Sequence, residues 1–269
     1  PIMLSNISVP LLGIVDTAVI GQLPGAYYIG AVAVGAQIFS IVYWGFGFLR
    51  MGTTGFTSQS LGAGDMDQVR AYLARAFIIA GIAGLALIVV QRPIMWGTLA
   101  VIAPSEQVAE LADAYFSIRI WGAPFALAGY ALLGWFVGIQ RTGAVLLLQL
   151  GMNVLNIILD LVFVLGLGWG VEGVALATVI SEVSAAIFGI WLAFRTAKTL
   201  GGVWRGDLVR QWGRLKRMML LNRDILFRTL CLEAAFVTFM AIGARMGDTV
   251  LAANAVLFLF QGLMAYGLD

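Results

Sequence analysis

Histidine is absent from this 269-residue chain, and cysteine occurs once, as Cys231. A single cysteine rules out a disulfide framework within the chain. Without histidine there is no histidine general base and no histidine metal ligand. Charge is scarce as well: Asp, Glu, Lys and Arg make up 11% of the residues, against roughly 25% in a soluble domain. So few charges cannot clothe a globular surface in water. Nor is there the polar–apolar alternation over ~10-residue segments that marks strands of a membrane barrel.

What fills the chain is apolar. Hydrophobic residues account for 61% of it and the mean hydropathy is +0.96. Residues 78–90, 144–159 and 183–194 carry no charge, and a helix crosses the hydrocarbon of a bilayer with about 20 mostly apolar residues. The chain reads as an all-α polytopic membrane protein with spans predicted at 1–20, 28–60, 68–91, 107–138, 143–166, 172–196, 222–244 and 249–269. The second and fourth are longer than a bare crossing requires and are expected to tilt, bend or protrude. Between spans lie "GQLPGA", "LGAGDMD", "APSEQ" and "GLGWG", all with turn chemistry.

Orientation follows from Lys and Arg. With the N-terminus inside, the cytoplasmic connectors hold Arg70, Arg75, Arg141 and the cluster from Arg195 to Arg228. The outer connectors hold only Arg92 and Arg245, beside Glu106, Glu110, Asp113, Glu172 and Asp248. The N-terminus is therefore predicted to be cytoplasmic. The basic stretch 198–221 reads as a cytoplasmic linker.

An internal repeat divides the chain. Ile20, Gly21, Gly25, Ala31, Ala33 and Val34 each recur 222 residues later, and Gly45 recurs as Gly267. Six spans separate the copies, which makes the repeat parallel, about an axis along the membrane normal. This organises the chain as a six-helix lobe over 1–197, the linker 198–221, and the first two helices of a second lobe over 222–269. A second copy of similar length would end near residue ~440, so the expectation is a fragment of a longer protein. The start with Pro1 instead of methionine points the same way.

Against this apolar background a few polar residues stand out. Asp16 sits in "PLLGIVDTAVIG". In "GMNVLNIILDLVF", Asn153, Asn156 and Asp160 are spaced by three and four, which places them on one helical face. A charged side chain at the bilayer centre costs about 2.5–3.5 kcal/mol even on lenient insertion scales. Two such carboxylates are expected to face each other, a cavity or a bound cation. Pro10 removes a helical hydrogen bond and should bend the first helix below Asp16. Thr178 and Glu182 lie one turn apart on the sixth helix, with Glu182 placed towards the cytoplasmic half and within reach of solvent. Glu233 is a further intramembrane acid on the seventh. Arg50 and Arg119 are expected to partner acids or lipid phosphates. Tyr43, Trp44, Met51 and Trp135 are candidates to line a pocket, with packing or lipid contact the preferred assignment. "GAGD", Gly62 to Asp65, fits the GxGD pattern of intramembrane aspartyl proteases, but the following "MDQVRAY" reads as a loop and helix start.

As a set, "PLLGIVDTAVIG", "FLRMGTTGFTSQSLGAGD", "IRIWGAP", "NIILD" and "NRDILFRTL" resemble the multidrug and toxic compound extrusion (MATE) transporters, in their DinF-like branch. The resemblance runs through nearly the whole chain. It implies two six-helix lobes, of which this chain would lack about four helices. It also implies H⁺- or Na⁺-driven antiport of drug-like, often cationic, small molecules by a monomer in the bacterial inner membrane, with no cofactor beyond the coupling ion, no nucleic-acid partner and lipid around it. By position, Asp16, Asn156, Asp160 and Thr178 match the family's cation site, where H⁺ or Na⁺ would bind. Glu233 resembles a seventh-helix acid of a sister branch. Thr238 stands where the repeat would place a second Asp16, so coupling would be one-sided. The resemblance further implies that ion uptake discharges Asp16 and Asp160, lets the first helix rebend and expels substrate. A flippase for lipid-linked saccharides, of related fold, is the alternative cargo reading, although its pyrophosphate calls for a basic cavity.

Overall fold

The computed structural model describes residues 15–210, 213 and 223–268; Pro10 and its expected bend lie outside them. The end of the first helix, α1, covers 15–20. It is followed by α2 (Ala26–Gly45), α3 (Gly47–Gly62), α4 (Met66–Val89), α5 (Gln91–Ile102), α6 (Glu106–Arg119) and α7 (Ala123–Gly138). Then come α8 (Thr142–Asp160), α9 (Gly170–Leu200), the short α10 (Gly206–Val209), α11 (Arg223–Arg245) and α12 (Asp248–Leu268). No strand occurs among the described residues.

Five stretches are long and apolar enough to cross a membrane: Ala26–Gly62, Met66–Val89, Glu106–Gly138, Thr142–Gly166 and Gly170–Leu200. The two that exceed a single crossing both break, as expected. The first turns at Phe46, between α2 and α3. The second tightens into a 3₁₀ turn at Ile120–Gly122, after which Pro124 sits in the first turn of α7, where its missing N–H costs nothing. After Asp160 the backbone widens into a π-helical turn over Leu161–Gly166. Outward faces are apolar: Ile82, Leu85 and Val89 on α4 and Ile187 and Trp191 on α9 are more than half exposed. Such surfaces require lipid.

α7 forms the centre of the lobe, packed by α3, α4 and α9, while α8 pairs with α9 and α2 with α6. Small residues permit the close crossings. A Cβ at Gly134 would collide with the Arg50 carbonyl oxygen, and one at Gly84 with the Pro124 backbone. Trp135, fully buried, donates to the Val69 carbonyl at 2.9 Å, in line with its assignment to packing. α11 and α12 lean on α2. The repeat register carries over to the helix starts: α2 begins at Ala26 and α12 at Asp248, 222 residues on.

Two features differ from the sequence reading. Residues 91–102 form α5, where a connector was expected. Arg92 and Pro93 look like a helix end, but Pro is tolerated in a first turn, and here both residues open the helix. The second difference lies at the start of α4. Arg70 and Arg75 are 8% and 1% exposed, turned inward from the surface that the charge count implied. Arg70 donates to the carbonyls of Ala197 at 2.6 Å and Gly201 at 2.9 Å. Arg75 donates to Leu208, and to Val209 at 3.3 Å. Asp67 completes the clamp by accepting from the Val203 N–H at 2.7 Å. The carbonyls left open at the ends of α9 and α10 are thereby satisfied.

Candidate functional site

The polar face of α8 points into the bundle. Asn153, Asn156 and Asp160 are 5%, 1% and 0% exposed, whereas Val154 and Ile158 between them are 53% and 52% exposed. The helix is polar inside and apolar outside, the reverse of a water-soluble one.

Asn156 stands at the centre. With its amide oriented by its neighbours, the NH₂ donates to Asp16 Oδ1 at 3.2 Å and to Asp160 Oδ2 at 3.0 Å, and the oxygen accepts from the Thr178 N–H at 3.2 Å. Turned over, the amide gives an N–H to Thr178 Oγ1 at 3.4 Å, and its oxygen faces the acids. The Thr178 hydroxyl donates to the Val174 carbonyl at 3.0 Å, which leaves its lone pairs available. The carboxyl groups of Asp16 and Asp160 are within hydrogen-bonding reach of each other. In apolar surroundings two carboxyls so placed need a proton or cation to hold them together. Asp160 Oδ1 is buried with no hydrogen-bond partner among the described residues, an open acceptor position. Asp16 of α1, Asn156 and Asp160 of α8 and Thr178 of α9 thus meet at one point.

Beside them lies a second charged group. The Glu182 side chain is only 10% exposed, with Oε1 3.8 Å from Arg119 Nη2. Solvent does not hold it, contrary to expectation; a buried cation does. At that separation the pair is electrostatic without a good hydrogen bond. Glu182 Oε2 nestles over Gly122, where a Cβ would lie within 2.6 Å. Arg119 donates to the Tyr115 hydroxyl at 2.9 Å, and its guanidinium stacks 4.7 Å from the Phe39 ring centre.

Arg50 is not brought to this cluster and forms no ion pair among the described residues. The Glu233 side chain lies outside the described residues. Thr238 is exposed and donates back to its own helix, to the Ala234 carbonyl at 2.8 Å. Asp65, the acid of the GxGD pattern, caps α4 by accepting from the Gln68 N–H at 3.0 Å; its role is accounted for without proteolysis.

Two cavities flank the cluster. One, about 370 Å³, lies among α1, α2, α6, α11 and α12 and includes Asp16, Gln37, Ser40 and Phe258. The other, about 240 Å³, lies among α7, α8 and α9 and includes Phe125, Met152, Asn153, Asn156 and Glu182. Tyr43, Arg119 and Tyr130 line both. The MatE family model matches residues 1–162. The chain belongs to the MatE family.

This MatE chain is 41% identical over 270 residues to the DNA damage-inducible protein F of Escherichia coli (strain K12), covering 100% of the chain and 59% of that protein. It is 29% identical over 194 residues to the multidrug export protein MepA of Staphylococcus aureus, covering 71% of the chain and 42% of MepA. In fold it matches an inward-facing multidrug resistance MATE family transporter of the MOP superfamily, with a TM-score of 0.78 at 19% identity over 98% of this chain and 64% of the other. The chain thus spans less than two-thirds of these proteins, and those named for what they do are exporters or transporters, not enzymes. Sequence reasoning offered Tyr43 as a pocket residue but preferred packing or lipid contact for it, and passed over Tyr115 and Tyr130. The spacing of four between Tyr115 and Arg119 on α6 was the one available signal.

Proposed function

We propose that the protein to which this chain belongs is a secondary active antiporter that exports cationic, drug-like molecules in exchange for H⁺ or Na⁺, by alternating access of two lobes. It would act as a monomer in the bacterial inner membrane with the N-terminus in the cytoplasm. The observation that carries this reading is the meeting of Asp16 and Asp160 around Asn156 with one Asp160 oxygen left open.

The cluster suits either coupling ion. With the Asn156 NH₂ turned to both carboxyls, Asp16 and Asp160 share one proton. With the amide reversed, its oxygen joins the two carboxylates and the Thr178 hydroxyl as a set of hard oxygen donors for Na⁺. Either ion cancels charge that is costly in the membrane, so the loaded and empty states favour different packings of α1 against α8. Each elementary charge carried across about 100 mV supplies about 2.3 kcal/mol, enough to drive a packing change of that size. Around the two cavities the acids Asp16, Asp160 and Glu182 stand against the cation Arg119, an acidic excess that favours a cationic cargo over a pyrophosphate.

The test uses the full-length protein in inside-out vesicles. Uptake of a fluorescent organic cation should follow an imposed H⁺ or Na⁺ gradient and be lost in Asp16→Asn and Asp160→Asn while both variants still fold. Uptake indifferent to both gradients, or surviving both substitutions, refutes the reading and turns attention to a lipid-linked cargo.

A further inference from the structure

Arg119 has more neighbours to serve than it can satisfy in one position. It comes from the last turn of α6, and charged or titratable groups face it from every side: Tyr115 from its own helix, Asp16 from α1, Tyr43 from α2 and Glu182 from α9. Tyr130 of α7 lines the same cavities, and Asp160 of α8 stands behind Asp16. Its contact with Glu182 is loose, at 3.8 Å. Arg119 Nε and Glu182 Oε2 are both buried without a hydrogen-bond partner among the described residues. A buried ion pair normally persists by filling all its hydrogen bonds; this one leaves capacity on each side. The guanidinium is also the sole cation among these groups, and it borders the cavity of Asp16 on one side and that of Glu182 on the other.

We infer that Arg119 is a mobile counter-charge, a positioning residue that makes occupancy of the Asp16–Asp160 site and cation binding at Glu182 mutually exclusive. This rests on the exchange reading above and deepens it. With a proton or Na⁺ held between the two aspartates, that pair carries one negative charge instead of two, and Arg119 stays with Glu182 as observed. When the ion leaves, Asp16 competes for the guanidinium. Arg119 swings towards Asp16 about its bond to the Tyr115 hydroxyl, and Glu182 is left uncompensated in the 240 Å³ cavity beside Phe125 and Met152. A buried, unpaired carboxylate in an aromatic, thioether-lined space attracts an organic cation. Reloading the aspartates returns Arg119 to Glu182 and displaces the cargo. Coupling then needs only the differential pairing of one guanidinium in two states.

Equilibrium binding of tetraphenylphosphonium, a permanent cation, to the purified full-length protein tests this. Saturating the aspartates, with Na⁺ or by lowering the solution from about pH 8 to about pH 6, should weaken wild-type binding about tenfold. In Arg119→Gln the probe should still bind, but the antagonism should shrink to less than about twofold. Glu182→Gln should weaken the probe about tenfold at every ion level. If Arg119→Gln does not fold, Arg119→Lys serves: it keeps the charge, lacks the planar fork that spans Tyr115 and a carboxylate, and should show reduced antagonism. Antagonism kept at wild-type strength in the folded Arg119 variant but lost in Asp16→Asn overturns this inference while leaving ion-coupled exchange standing. Unchanged probe affinity in Glu182→Gln overturns it as well. A wild type whose binding ignores the ion overturns both.

Discussion

Asn156→Leu replaces the bridge between the two acids with an apolar side chain of similar size. Two hydrogen bonds to carboxyl oxygens, at 3.2 and 3.0 Å, are lost. In water-soluble proteins bonds to charged groups are worth about 1.5–3 kcal/mol each. In membranes interhelical bonds average about 0.6 and reach about 1.7 kcal/mol, because the unfolded helices find other partners. The membrane scale governs here. Moreover, Asp16 and Asp160 still reach each other and can share a proton, so a loss of about 1–2 kcal/mol is expected. The decisive quantity is the coupling with Asp160→Asn in a double-mutant cycle, measured by reversible unfolding of the full-length protein in mixed micelles. If Asn156 stabilises the lobe through Asp160, the second substitution costs less in the Asn156→Leu background, with a coupling energy of about 0.6–1.7 kcal/mol. A coupling below about 0.3 kcal/mol, the range in which unconnected sites simply add, refutes the bridge.

Gly134→Ala drives a Cβ into the Arg50 carbonyl, a backbone atom that cannot turn aside. It should destabilise the α3–α7 crossing by about 1–3 kcal/mol, while Gly129→Ala, with open space around it, should leave the melting temperature in detergent unchanged. Gly122→Ala collides with the tip of Glu182 and otherwise makes an ordinary contact with Val179, so it should cost under about 1 kcal/mol yet change tetraphenylphosphonium binding; unaltered binding would separate that tip from cargo recognition. Arg75→Ala frees the carbonyls of Leu208 and Val209 and should speed limited proteolysis between residues 198 and 210. Arg92→Ala, whose ion pair with Asp113 is exposed, should have no measurable effect on stability.

The parts of this fold that could be read in the sequence are those governed by local repetition. The polar face of α8 was legible because spacings of three and four fix which side chains share a face, and only one face could stand to carry Asn153, Asn156 and Asp160 in lipid. Span length alone called for the second and fourth spans to tilt, bend or protrude; of these, both bend, after Gly45 and Arg119. Their form, a turn at Phe46 and a 3₁₀ turn at Ile120, was not legible, since it depends on what each half packs against. α5 was missed because Arg92 and Pro93 signal a boundary without saying on which side the helix lies. Long-range pairing was out of reach for the same reason that it matters. Arg119 and Glu182 are on different helices and no periodicity links them, so Glu182 was assigned to solvent when its partner was a buried guanidinium. From the residues alone, the convergence of Asp16 with Asp160 was legible only as a requirement that costly carboxylates find company; that Asn156 and Thr178 would join them came from the family resemblance, and the central place of the Asn156 amide from the packing of α8 against α9.

The clamp at the start of α4 has a consequence for the polypeptide that leaves the lobe. Arg70, Arg75 and Asp67 fasten Ala197, Gly201, Val203, Leu208 and Val209 to the body of the bundle. Mechanically, the body of the lobe therefore extends to Val209 and does not stop where α9 ends at Leu200. Electrically, two charges that count towards orienting the chain as it is inserted are withdrawn from the lipid headgroups once the lobe has folded. The finished face is less basic than its sequence.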